Sequence, residues 1–188
     1  MARRGATRAY WLVCLLSTGA ACGLASWRVA VALASPDATL TLTSSSFRTG
    51  GDIPARFTCE GADISPELSW NDPPTGTRSL ALVVNDPDAP SGNFIHWVIY
   101  DLPASTRSLS EGVAQSREAA GGRQGTNGFG KVGYSGPCPP GGKAHRYFLR
   151  LWALDSALNL KDPDAAAVES AMRGHILAHA EIMGRFRR

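Results

Sequence analysis

"SLALVVNDPDAPSGNFIHWVIYDLP", Ser79 to Pro103, is two runs that bury as strands, joined by a stretch that does not. Leu80 to Val84 is continuously apolar and ends at Asp86 and Pro87. The run from Phe94 is β-branched and aromatic, the composition of a half- or fully buried strand. Pro87 and Pro90 fix φ between them, and Asp, Ser and Gly supply turn chemistry. The connection is short, so the chain returns antiparallel and sets Asp86 near His96 on neighbouring strands. Asp88 lies in the turn, either capping its own backbone or facing a ligand. His96 stands among apolar residues, either as a satisfied core group or as part of a site.

The same pattern continues outward. "ATLTLTSSSF" (38–47) alternates with period two, and "DIPARFTCEG" (52–61) reads as another short extended run. "ELSWND" (67–72) precedes a "PPTGT" turn. Residues 103–135 read as a long irregular connection, and loops of that length are usually functional or disordered. "AHRYFLRLWALD" (144–155) reads as the last clear strand. Val168, Met172, Ile176 and Ile182 with Met183 then recur at helical spacing after "KDPD", a good helix start. The expected fold is mainly β, an antiparallel β-sandwich with a C-terminal helix at its edge. His175 and His179, four apart, would share one helix face.

"YSGPCPPGGKAHRYF" (134–148) stiffens the chain before that last strand. His145 and Tyr147 point to one face of it and Arg146 to the other. His96, by the same alternation, shares a face with Val98 and Tyr100. The preceding loop is either an elaborate structural turn or a rigid wall whose backbone N–H groups, with an imidazole and a phenol, serve a small anion.

The chain has 188 residues, enough for one domain with a sizeable core. Four of its 19 basic residues, Arg3, Arg4, Arg8 and Arg28, precede Ser35, and no acidic residue does; 15 basic against 16 acidic residues remain. The formal +3 therefore belongs to the leader, and nothing in the body's net charge attracts nucleic acid. Ala9 to Trp27 carries no charge, and Ala32-Leu33-Ala34 fits a signal-peptidase site. Residues 1–34 are expected to be a signal peptide and 35–188 the domain, exported to the periplasm or beyond. The alternative is an uncleaved membrane anchor. Cys14 and Cys22 leave with the leader; Cys59 and Cys138 remain, as a disulfide in an oxidising compartment or as two buried thiols.

"DPDAP", then His96-Trp97, then "GYSGPCPPGGKAHRYFLRLWAL", resemble the phosphatidylethanolamine-binding protein family. "FTCEGADISPELSW" and "AMRGHILAHAEIMGRF" are similar to its bacterial branch, the Raf kinase inhibitor-like proteins. The resemblance runs from Phe47 to Phe186. It implies a Greek-key β-sandwich with a small conical pocket for phosphate-like headgroups. The family's ligand residues fall on Asp86, His96, Gly136, His145 and Tyr147, with Pro137 at the rim. Ile95-His96 stands where eukaryotic members carry two histidines, and Cys138 where proline is common.

The function expected is an exported binding module for phosphate or a phospholipid headgroup, which inhibits a kinase or protease if the family's name carries over. Asp86 would repel phosphate, unless it accepts from a histidine and holds that ring oriented and cationic. The alternative is a hydrolase using Asp86, His96 and His145 as an acid–base or metal-ligand set. No nucleophile elbow, zincin motif or dinucleotide loop occurs, so no metal and no cofactor is expected. Lipid headgroups or an uncleaved leader would be the routes to a membrane.

Overall fold

The computed structural model describes residues 39–188. The expected cleavage after Ala34, with Cys14 and Cys22, lies outside them. The strands are β1 (Leu42–Thr43), β2 (Leu68–Trp70), β3 (Ser79–Asp86), β4 (Phe94–Pro103), β5 (Ser108–Leu109), β6 (Glu118–Ala119), β7 (Gly122–Gln124), β8 (His145–Leu154) and β9 (Ile176–Phe186). A helix, α1 (Ala165–Met172), lies between the last two. One sheet has the order β1-β2-β5, the other β6-β7-β4-β3-β8-β9, and the paired strands are antiparallel. In the large sheet β8 returns beside β3, giving the order β8-β3-β4-β7 of a Greek key.

The main core includes Leu42, Trp70, Leu82, Trp97, Leu149 and Leu151. On the other face of the large sheet, Val83, Val98 and Tyr100 pack against Val168 and Met172 of α1. Strand β3 is covered on both faces and buried at all eight positions, which is why it reads as a continuous apolar run.

Four local expectations are corrected. The helical reading holds only to Met172. Asp164 caps α1 by accepting from the Ala167 N–H at 2.8 Å, and Gly174, at φ +85°, turns the chain away. Residues 176–186 form a strand along β8, from Leu154↔Ile176 to His145↔Phe186. This eleven-residue strand covers what would be a bare edge of β8. His175 and His179 therefore share no helix face. The His175 Nδ1–H donates to Asp155 Oδ1 at 2.7 Å, and His179 lies opposite Trp152. The expected extended run at 52–61 contains instead a short 3-10 turn, Ala55–Phe57. The strand expected at 38–47 shortens to Leu42–Thr43, and the long connection 103–135 carries three short strands.

Candidate functional site

Where β3 ends and β4 and β8 begin, the large sheet opens into a cavity of about 200 Å³. Asp86, His96, His145 and Tyr147 line it together. Each is more than nine-tenths buried. Asp86 is the last residue of β3, and one of its oxygens accepts from the Asp88 N–H at 2.8 Å, closing the turn. The other accepts from His145 Nδ1–H at 2.7 Å. Asp88 does not cap its own backbone. It accepts from the Arg146 N–H, Nε and Nη2 at 2.9, 2.8 and 2.7 Å, and these bonds push its pKa down to about 2.

His96 reaches the cavity through a β-bulge. Val84 pairs with Trp97 and Asn85 with Ile95, so His96 is the extra residue. At such a bulge two neighbouring side chains turn to the same side. His96 accordingly leaves the Val98–Tyr100 face, where simple alternation put it, and packs edge-on to Tyr147 at 5.2 Å between ring centres. Its Nδ1 lies 2.7 Å from the Ser135 carbonyl and 3.1 Å from that of Gly136. Carbonyl oxygens only accept, so Nδ1 carries the proton. Burial pulls the His96 pKa down, against the raising effect of those carbonyls and of Asp86, and so favours the neutral ring, whose lone pair lies on Nε2.

Tyr147 is fully buried, and its hydroxyl has no hydrogen-bond partner among the described residues. Burial, then the nearby Asp86 charge, then the approach of that carboxylate to the hydroxyl in a geometry that makes no hydrogen bond, holds its ionisation far above the usual tyrosine range. The remaining walls include Phe94, Phe129, Pro90, Pro139 and Pro140. Phe129 is 45% exposed at the mouth. Gly128 has no side chain because a Cβ there would sit 2.7 Å from the Phe94 ring.

The rigid loop is a wall, through different residues from those expected. Cys138, Pro139 and Pro140 line the cavity; Gly136 and Pro137 do not. The Gly136 N–H is spent on Asp63 Oδ1 at 2.6 Å, and the Pro137 carbonyl accepts from the Cys59 N–H at 3.1 Å. Proline has no N–H to offer. Gly136 instead supports His96 through its carbonyl. Cys59 and Cys138 form a disulfide that fastens the loop to the turn at 57–61. The Tyr134 hydroxyl donates to the Phe57 carbonyl at 2.7 Å and ties the same two segments.

The family model for phosphatidylethanolamine-binding protein matches residues 43–187. The chain belongs to the phosphatidylethanolamine-binding protein family. A UPF0098 protein of Aquifex aeolicus is 48% identical over 155 residues, covering 80% of this chain and 90% of that protein. One from Methanothermobacter thermautotrophicus is 47% identical over 152 residues, 79% and 99% of the two chains. Among solved structures, E. coli YbcL superposes with a TM-score of 0.75 at 32% identity, covering 80% of this chain and 99% of its own. A family homologue from Chlamydia trachomatis gives 0.73 at 39%, with 81% and 99% covered. These relatives place the chain in the bacterial branch of the phosphatidylethanolamine-binding proteins. The aromatic walls were missed in the sequence. Phe129, an aromatic side chain between two glycines in a polar loop, was the available signal; Phe94 reads only as the start of a strand.

Proposed function

We propose that this chain is a binding module whose cavity takes a phosphate or the phosphate-bearing headgroup of a phospholipid. The observation that carries the reading is the Tyr147 hydroxyl. It is a buried donor without a hydrogen-bond partner among the described residues, beside two histidines whose Nδ1 atoms are anchored elsewhere. An unpaired buried hydroxyl costs stability, and a bound oxygen atom would satisfy it. Prolines and the Cys59–Cys138 disulfide keep the wall in place, so little ordering accompanies binding. The low dielectric beside the aromatic walls strengthens each hydrogen bond made inside.

The anion brings a proton with it. His96 favours its neutral form in the free cavity, and its Nε2 becomes a donor only on protonation. Binding therefore strengthens as pH falls and weakens as pH rises. Asp86 repels phosphate but fixes the His145 ring, and it can also receive an ammonium group on the ligand. Calorimetry with inorganic phosphate and phosphoethanolamine, between pH 5.5 and 8, tests this on wild type, His145→Ala and Asp86→Ala. His145→Ala should weaken binding by about 1–3 kcal/mol. Equal affinity in all three proteins, or no pH dependence, would place the anion elsewhere.

The module is exported, with residues 1–34 as a cleaved leader and 35–188 as the domain. The basic leader and its Ala32-Leu33-Ala34 motif support this, as does a disulfide suited to an oxidising compartment. A hydrolase reading draws on the Asp86–His145 pair, a base held in one tautomer. Turnover of phosphoethanolamine or an ester, lost in His145→Ala, would favour that reading over the module.

A further inference from the structure

The Cys59–Cys138 disulfide has two unlike ends. Cys59 is exposed on the turn at 57–61, whereas Cys138 is half-buried and lines the cavity. The Arg188 guanidinium reaches Cys138 Sγ through Nη1 at 3.8 Å, and its Nε lies 3.5 Å from Glu60 Oε1. A cation beside a sulfur stabilises its thiolate, and the sulfur that is the better thiolate leaves faster in thiol–disulfide exchange. The exposed sulfur is thus the one open to attack, and the sulfur beside Arg188 the one to be released.

What the bond holds is unequal too. Before Cys138 the loop has other ties. The Tyr134 hydroxyl donates to the Phe57 carbonyl, the Gly136 N–H to Asp63, and the Cys59 N–H to the Pro137 carbonyl. From Cys138 to Gly142, the one backbone hydrogen bond among the described residues runs from the Gly142 N–H to the Arg188 carbonyl, at 3.5 Å. Pro139 and Pro140 have no N–H to add another. The disulfide is therefore the main tie of the segment that walls the cavity, while the carbonyls that aim His96 are held without it.

We propose that this disulfide is a thiol-exchange site, entered at Cys59 by an external dithiol, and that its opening frees the Cys138–Pro140 wall and weakens anion binding. The weakening rests on the anion reading above; the exchange does not. A thiolate of the dithiol attacks Cys59 Sγ and bonds to it. The Cys59–Cys138 bond breaks, and its electron pair stays on Cys138 Sγ as a thiolate beside Arg188. The second sulfur of the dithiol, once deprotonated, displaces Cys59 and closes the dithiol's own disulfide. The two protons that the dithiol gave up end on the two cysteines, and two electrons have passed to the protein. The wall has then lost its covalent tie, so binding has to order it again. Cys138, when ionised, also sets a negative charge on the cavity. By linkage, a bound anion protects the disulfide from reduction by the same factor.

The test begins with the folded, oxidised protein and a brief pulse of 2-mercaptoethanol, quenched with N-ethylmaleimide and mapped by peptide mass. The mercaptoethanol adduct should fall on Cys59 and the maleimide on Cys138. An adduct mainly on Cys138, or shared equally, overturns the proposal. Reduction by dithiothreitol should slow about threefold or more in Arg188→Gln, and Arg188→Lys should restore most of the rate. Arg187→Gln makes the same charge change on an exposed neighbour and should reduce like wild type. Equal slowing in Arg187→Gln and Arg188→Gln overturns the role of Arg188. Inorganic phosphate should bind the reduced protein about tenfold more weakly, and saturating phosphate should shift the equilibrium in a glutathione redox buffer towards the disulfide by the same factor. Reduction that abolishes the near-ultraviolet circular dichroism makes the bond a staple of the fold and overturns the proposal. Equal phosphate affinity in both redox forms overturns the coupling and leaves the anion reading intact. If phosphate binds neither form while the adduct maps to Cys59 and the rate follows Arg188, the anion reading fails and the exchange site stands.

Discussion

Tyr147→Phe removes one oxygen and keeps the ring. The ring belongs to the main core and meets the edge of His96, so packing is preserved. The hydroxyl is wholly buried without a hydrogen-bond partner among the described residues, a state that costs about 1–3 kcal/mol in a protein interior. Its removal should therefore raise stability, by about 1 kcal/mol or more after some relaxation. For a domain near 150 residues that is a rise in Tm of about 2–4 °C. The effect on the bound state has the opposite sign. A hydrogen bond to a charged acceptor is worth about 1.5–3 kcal/mol, so phosphate affinity should fall roughly ten- to hundredfold. Calorimetric scanning of the free protein and phosphate titration of both proteins give the two numbers. A lower Tm with unchanged affinity would mean that the hydroxyl has a structural partner, the nearby Asp86 carboxylate or a buried water, and no ligand. The cavity would then lose the observation on which its function rests.

Four further outcomes follow from the same geometry. Denatured but unreduced protein should show no thiol from Cys59 and Cys138, and replacing both by Ser should cost about 2–4 kcal/mol through the long loop the bond closes. Gly136→Ala should cost at least about 1–3 kcal/mol in a urea titration, because its Cβ would meet the Phe57 carbonyl oxygen at 2.3 Å and Asp63 Oδ1 at 2.7 Å. Burial lowers the His96 pKa from 6.5, so stability is complete above that pH and falls as pH drops towards the folded value; His96→Asn, which keeps a donor near Nδ1 but does not titrate, should flatten the slope of Tm against pH. N-terminal sequencing of the exported protein should begin at Ser35, whereas a membrane-bound product starting at Met1 or Ala2 would make the leader an anchor.

The legible parts of the fold were those whose burial repeats simply. β3 is covered on both faces and β4 and β8 are largely buried, so long apolar or β-branched runs mark all three. β9 hid because its inward positions are Ala180, Ile182, Gly184 and Phe186, two of them nearly without side chains. Gly184 has to be small, since a Cβ there would lie 2.5 Å from Ile53 Cγ1. Ile176, exposed at the start of the strand, and Met183 on its outer side, with Ile182, then extend a helical spacing that begins correctly with Val168 and Met172. The stop signal was present in "MRGH": Gly174 takes the left-handed conformation that ends a helix.

The polar floor was legible for a different reason. A carboxylate at a strand end and a His-x-Tyr pair at a strand start are set by alternation and by antiparallel return. Both rules survive because β3 and β8 pair without a register shift from Ser79↔Leu154 to Asn85↔Phe148. The third element follows neither rule. Alternation sent His96 to the face of Val98 and Tyr100, and the extra residue between Ile95 and Trp97 turned it back to Tyr147. The bulge therefore decides whether the cavity has two imidazoles or one. Its geometry is held by the Ser135 and Gly136 carbonyls on the His96 ring, with the Ser135 N–H donating to the His96 carbonyl at 3.0 Å. The proline-rich loop thus has two tasks: its distal residues wall the cavity, and its proximal carbonyls keep His96 aimed into it.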